Sequence, residues 1–308
     1  MKKLLLTGIL GMLLLNCDNQ QHTQTTVKSI KKEIVVPKKQ IIIPIKEEHE
    51  ISDNPTEEAE MFFRSFPTTL SGAQKVIKHD KDDKTIDAYQ CIIYIRQKHL
   101  KYQYGVDTKK DYETVDLIQK DIYNILGALT ELDFSELDVR YVRIEGFAVQ
   151  GYRGKISYSD VEKDLDKTLK SLNDNFLTRS KETGYQYAFG GYFKYANDTY
   201  QILILPGDDY NCLKDAYRAV EKGVNRNGNK LSKQQIQEYV GIKRDRGALG
   251  LIITSDEPVS VLIQGAYHKF KRTIDEYNSK GVLRKRLIEI IPEHLDMEEV
   301  KREGRLFR

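Results

Sequence analysis

Tryptophan is missing from this 308-residue chain, cysteine occurs three times, methionine four times and proline seven. So few cysteines exclude a disulfide-dense mini-protein, and the unpatterned glycines and prolines exclude a collagenous or low-complexity fibre. No apolar run approaches the roughly 20 residues that span a bilayer, which excludes a polytopic membrane protein. Neither sign of charge dominates: 49 Lys+Arg stand against 46 Asp+Glu, a formal net charge of +3, with acids and bases intermixed. Such a balance requires no nucleic acid as partner. The length allows one or two domains with sizeable cores.

Chemical motifs are equally sparse. Gly247-Ala248-Leu249-Gly250 lacks the spacing of a phosphate loop and the Lys-Ser/Thr that must follow it. There is no His-Glu-x-x-His and no Cys-x-x-Cys, so no spacing points to a metal, and no metal or cofactor is expected. His22 and His49 fall in an N-terminal polar segment, while His79, His99, His268 and His294 are scattered singly. A lone histidine is usually a surface or core-edge residue. Without a Gly-x-Ser-x-Gly elbow no serine is a preferred nucleophile. The pair Asp208-Asp209 in a Pro-Gly-Asp-Asp turn reads as solvated capping chemistry. Catalysis is not expected.

What is present begins at residue 1. Met1-Lys2-Lys3 is a basic start, Leu4 to Leu15 is an apolar run, and Asn16-Cys17 follows at once. The run is too short for a permanent span and reads as an export signal over residues 1–16. Leu14-Leu15-Asn16-Cys17 resembles a bacterial lipobox. That resemblance implies a diacylglycerol on the Cys17 sulfur and cleavage just before it; Asn16 stands where most lipoboxes carry Gly, Ala or Ser. Removing Lys2 and Lys3 takes the formal charge from +3 to +1.

Residues 17–53 form the lipidated cysteine and a flexible tether. Ile34-Val35-Val36 and Ile41-Ile42-Ile43 are each stopped by a proline, Pro37 and Pro44, so neither reads as a central strand. Stretched at about 3.3–3.6 Å per residue the segment reaches on the order of 120 Å. Docking of the two runs on a sheet edge is the alternative to a free tether.

Residues 54–308 are expected to form a mainly α head, with an α+β fold containing a small sheet as the alternative. Asn54-Pro55-Thr56-Glu57 predicts a helix start that carries Met61, Phe62 and Phe63 toward a core. Helical spacing is read over Lys84 to Tyr102 and, more clearly, from Val115 to Leu129. Ser159-Asp160-Val161-Glu162 and Ser232-Lys233-Gln234-Gln235 are capping boxes, the second helix stopping at Gly241. Pro258 precedes a helix over Val259 to Tyr277, and Ile288 to Ile291 closes a shorter one. Val139 to Val149, Tyr185 to Tyr195, Tyr200 to Leu205 and Leu251 to Thr254 are the stretches that leave a sheet open. The segments starting at Leu203 and Leu251 share a faint echo of apolar run, acidic turn and helix, too weak to define a repeat.

Cys91 and Cys212 are either bridged, which would stabilise the head by roughly 3–5 kcal/mol, or remain two separate thiols. A basic surface is the other candidate site. His268, Lys269, Lys271 and Arg272 with Arg284, Lys285 and Arg286, and Arg302, Arg305 and Arg308 beyond, would line up for an anionic ligand such as a glycosaminoglycan; a solvated helix face has the same appearance.

A Lys-Lys signal, the Leu-Leu-Asn-Cys box at 14–17, a polar tether and a Lys/Ile/Asn/Tyr-rich head together resemble the surface lipoproteins of Borrelia-type spirochaetes. The resemblance implies a protein of the cell envelope, anchored by acyl chains at the outer-membrane surface, whose head binds a host or vector macromolecule. A periplasm-facing lipoprotein with an envelope-structural or small-ligand role is the alternative.

Overall fold

The computed structural model describes residues 55–79, 88–98, 109–132, 141–145, 148, 191–192, 203–255, 257–279 and 284–306. The signal, Cys17, the tether, the expected helix from Ser159 and most of Tyr185 to Tyr195 lie outside them. Within the described residues the order is α1 (Pro55–Ser65), β1 (Ala73–His79), β2 (Ala88–Gln97), α2 (Lys109–Thr130), β3 (Tyr141–Ile144), β4 (Leu203–Pro206), α3 (Tyr210–Lys222), α4 (Lys233–Ile253), β5 (Val259–Gly265), α5 (Phe270–Asn278), β6 (Arg284–Pro292) and α6 (Met297–Leu306). No helix among them is long and apolar enough to cross a membrane.

The mainly α expectation is overturned: the head is α/β. Six strands form one mixed sheet in the order β1-β6-β2-β5-β3-β4. Strands β6, β2, β5, β3 and β4 are parallel, and β1 runs antiparallel to β6 at the edge.

Burial on both faces explains why the strands read as helices. In β2, Cys91, Ile92, Ile93, Tyr94 and Ile95 are all inaccessible to solvent, and every residue of β5 is buried. A parallel strand covered on both faces is a continuous apolar run, and a period of two cannot be read from it. Val259, Val261 and Ile263 of β5 and the Ile pairs of β2 and β6 favour the extended backbone, where branched side chains pack without loss of rotamers.

Alternate residues face two layers. Cys91, Ile93 and Ile95 pack with Val261, Ile263, Ile288 and Ile290 against Phe62, Phe63 and Phe66 of the α1 region and Ile118, Ile122 and Ile125 of α2. Ile92, Tyr94, Leu262 and Leu287 face Ala248, Leu249 and Ile252 of α4 and Phe270 and Ile274 of α5. Met61, expected inward, is 58 % exposed, because three consecutive helical residues cannot share one face.

The capping box of α4 is present: Ser232 Oγ accepts from Gln235 N, and Gln235 Oε1 accepts from Ser232 N. Gly241 does not end this helix, which runs on to Ile253. Gly247, one turn and a half further, sits against α3, where an added Cβ would lie 2.9 Å from Cys212 Cβ. The echo between residues 203 and 251 also dissolves, since Leu203 begins a strand while Leu251, from the strand candidate Leu251 to Thr254, lies in the last turn of a helix.

Candidate functional site

Parallel strands deliver their carboxyl ends to one edge of the sheet. Helix α2, which follows β2, packs on one face, and α5, which follows the neighbouring β5, packs on the other. A crevice forms where successive connections part in this way, and ligands of open α/β sheets bind there.

Five ionisable side chains converge at this edge. Glu145 directly follows β3, Asp208 follows β4 after Gly207, His268 lies in the turn after β5, and Arg244 and Asp245 come from the middle of α4. Position 207 requires glycine: a Cβ there would lie 2.4 Å from the carbonyl oxygen of Ile144. That close approach of two backbones sets Asp208 beside Glu145.

Arg244 joins the two acids. Its Nε and Nη2 donate to Asp208 Oδ1 and Oδ2 at 3.0 and 2.7 Å, and Nη2 also reaches Glu145 Oε1 at 2.8 Å. Two parallel N–H groups on one carboxylate make the strongest form of ion pair. Glu145 Oε2 accepts from the backbone N–H of Gly265 at 2.6 Å, which ties the end of β3 to the end of β5.

His268 stands between two carboxylates. Nδ1 bonds Asp245, and Nε2 lies 3.2 Å from Glu145 Oε1. Asp245 Oδ2 accepts from Lys269 N at 3.2 Å, fixing the first turn of α5. Burial disfavours the imidazolium, but Glu145 and Asp245 outweigh it and raise the His268 pKa to about 9. With both nitrogens donating, His268 is a fixed positive charge and not a general base. Among the described residues it meets no hydroxyl or thiol side chain.

The network extends along the edge through Tyr94 and Arg96. Tyr94 Oη donates to Gly265 O at 2.9 Å, and Arg96 bonds Glu289 of β6, which also lies 3.1 Å from His79 Nε2. Burial would raise the Glu289 carboxyl, yet its bonds to His79 and Arg96 hold it down at about 2.

None of these assignments was legible as a motif. His268 belongs to the expected basic run, but its partners lie 23 and 123 residues away in sequence. The Pro-Gly-Asp-Asp turn, read as solvated, divides its two acids. Asp209 caps α3, accepting from Cys212 N at 2.8 Å, while Asp208 is 1 % exposed.

The expected basic surface is not brought together. Lys271 and Arg272 on α5 pair with Asp275 and Glu276 one turn on. Lys285 and Arg286 are consecutive in β6 and point to opposite layers: Lys285 Nζ lies 5.8 Å from the Tyr277 ring of α5, whereas Arg286 bonds Glu60 of α1 at 2.7 Å. Burial pulls the Lys285 ammonium down to about 8. Lys269 remains exposed at the head of α5, and the side chain of Arg284 lies outside the described residues. Arg302 pairs with Asp296 at 3.9 Å.

Cys91 and Cys212 are free thiols. Cys91 is inside the layer under α1 and α2, while Cys212 on α3 touches α4 on the other face of the sheet. Burial pushes both thiols up, Cys212 to about 12, so neither is an activated nucleophile.

Fold and site define an α/β protein with a closed ionic network at the carboxyl ends of its parallel strands. Comparison with models of protein families, with characterised proteins and with solved structures finds no match in any of the three.

Proposed function

We propose that this chain is a lipid-anchored envelope protein whose α/β head binds a small ligand at the carboxyl ends of β2, β5 and β3. The observation that carries the reading is the convergence of Glu145, Asp208, Asp245, Arg244 and His268 on that edge. Among the described residues, three carboxylates against two cations leave one negative charge on a buried, low-dielectric floor. Such a floor favours a ligand with a positively charged group. Each member of the network bonds another, so its part is to fix the crevice and its field and not to carry out proton transfer. Anchoring at Cys17 would hold this head at a membrane by acyl chains, independently of surface charge.

The test is thermal stabilisation of the full-length protein in detergent by arginine, putrescine and spermidine, with glutamate, glucose and AMP as comparison. A ligand at about 100 times its Kd adds about 2.7 kcal/mol to the folded state. Stabilisation by the amines alone is the expected result, and equal melting with every compound removes the reading.

A second reading, an outer-surface protein whose head binds a host or vector macromolecule, is supported by the tether and by exposed apolar side chains. Met61 on α1, Leu117 on α2 and Tyr267 beside the ionic network are 58 %, 39 % and 42 % exposed. Aromatic and Met side chains are the types enriched at interface cores. Protease added to intact cells distinguishes the two: loss of the head supports the surface reading, and a protected head supports a periplasm-facing protein.

A further inference from the structure

The turn that joins β6 to α6 places two donors against a third on α2. Asp121 is 3 % exposed in the middle of α2, and Glu293 and His294 form the turn. The carboxylate oxygens of Asp121 and Glu293 and the Nδ1 of His294 all lie within 4.8 Å of one another. His294 Nδ1 is 3.0 Å from both oxygens of Asp121, and the His294 backbone N–H donates to Asp121 Oδ2 at 2.7 Å. On the other side, Glu293 N donates to Gly72 O at 2.9 Å. The turn is therefore held from two directions before any ligand arrives.

Two features of this arrangement point to a cation. Two carboxylates are brought together with a single imidazole, and among the described residues the Glu293 carboxylate has no Lys or Arg partner. Like charges at this range repel, and a bridging cation relieves that repulsion. The donors are also of mixed type, one imidazole nitrogen and two carboxylate oxygens, in a half-open position: the His294 side chain is 42 % exposed and that of Asp121 4 %. Three protein donors with the remaining position open to water is the arrangement of zinc sites, and an imidazole nitrogen selects against calcium and magnesium.

We propose that Asp121, Glu293 and His294 form a zinc site that clasps α2 to the carboxyl end of β6. The assignment is independent of the small-ligand reading, since none of its residues belongs to the network around His268. Sequence spacing cannot show it, because Asp121 and His294 are 173 residues apart.

The test titrates the full-length protein in detergent with zinc chloride by calorimetry, and with Co2+ by visible absorption as a spectroscopic stand-in. His294→Gln and Glu293→Gln alter exposed positions and leave the fold intact by circular dichroism; Asp121→Asn is the buried third variant. Losing a partner in the outer shell of a metal already costs about 10- to 100-fold in affinity, so losing a direct donor costs at least about tenfold. The expected result is one zinc site lost in each variant, cobalt absorption without thiolate charge-transfer bands, and an unchanged titration in Cys212→Ser. Identical zinc titrations of the wild type and the His294→Gln/Glu293→Gln double variant would overturn the proposal. So would thiolate–cobalt bands that vanish in Cys212→Ser, or displacement of zinc by equimolar Mg2+.

Discussion

Arg244 holds Asp208 through two parallel hydrogen bonds, 3.0 and 2.7 Å long, across 36 residues of sequence. The pair closes the space between α4 and the end of β4, and Glu145 completes it from β3. Burial opposes the Arg244 charge, but Asp208 and Glu145 raise its pKa further above its already high range.

Arg244→Met leaves Asp208 with a buried charge and two donated hydrogen bonds fewer, and Glu145 with one fewer. Removing one partner of a buried pair costs about 3–5 kcal/mol. Urea unfolding of this variant is expected to show a clearly lower midpoint with an unchanged slope, and Arg244→Lys, which loses the two-pronged geometry, falls between the two. A midpoint equal to wild type would show that the pair contributes no net stability.

His268 makes stability depend on alkali. Its folded pKa of about 9 lies above the ordinary 6.5, so the stabilisation is fully present below pH 6.5 and is lost as pH rises through about 9. The urea midpoint of the wild type should decline across this window, and that of His268→Gln should be flatter there. Parallel curves for the two proteins would refute the assignment.

Glu289 governs the acid side with the opposite sign. Its carboxyl is lowered from 4.5 to about 2, so its contribution is complete above pH 4.5 and is lost as pH falls toward 2. Glu289→Gln should be less stable than wild type at pH 6 and should approach it near pH 2. Circular dichroism during acid titration measures the convergence.

Cys17→Ala removes the only sulfur that the lipobox would acylate. Incorporation of labelled palmitate and partitioning into the detergent phase should both disappear. Retention of the variant in the detergent phase would mean that something other than acyl chains holds the protein.

The extent to which the fold was legible varies with local chemistry. The start of α1 at Pro55, the helix across Val115 to Leu129 and the capping box at Ser232 were readable because each depends on neighbouring residues. β3 lies within the strand candidate Val139 to Val149, and β4 overlaps the candidate Tyr200 to Leu205 and runs one residue past it. β2, β5 and β6 were misread as helical because burial on both faces erases the alternation by which a strand is recognised. Residues such as Ile92 and Ile93 look alike in sequence, and only the sheet sends them to different layers.

The sequence alone determined the near-neutral charge, the signal-like N-terminus with Cys17 and the caps of individual helices, since each is set by composition or by contacts a few residues apart. Tertiary structure decided the rest. It split the basic run so that His268 became the centre of an acidic network while Lys285 and Arg286 parted to opposite faces. It kept Cys91 and Cys212 in separate layers and carried Asp121 to Glu293 and His294. The physical reason is common to all of these: parallel strands can be joined only by long crossovers. The groups that meet at their ends are therefore distant in sequence, and their pairing is fixed by strand order and not by local pattern.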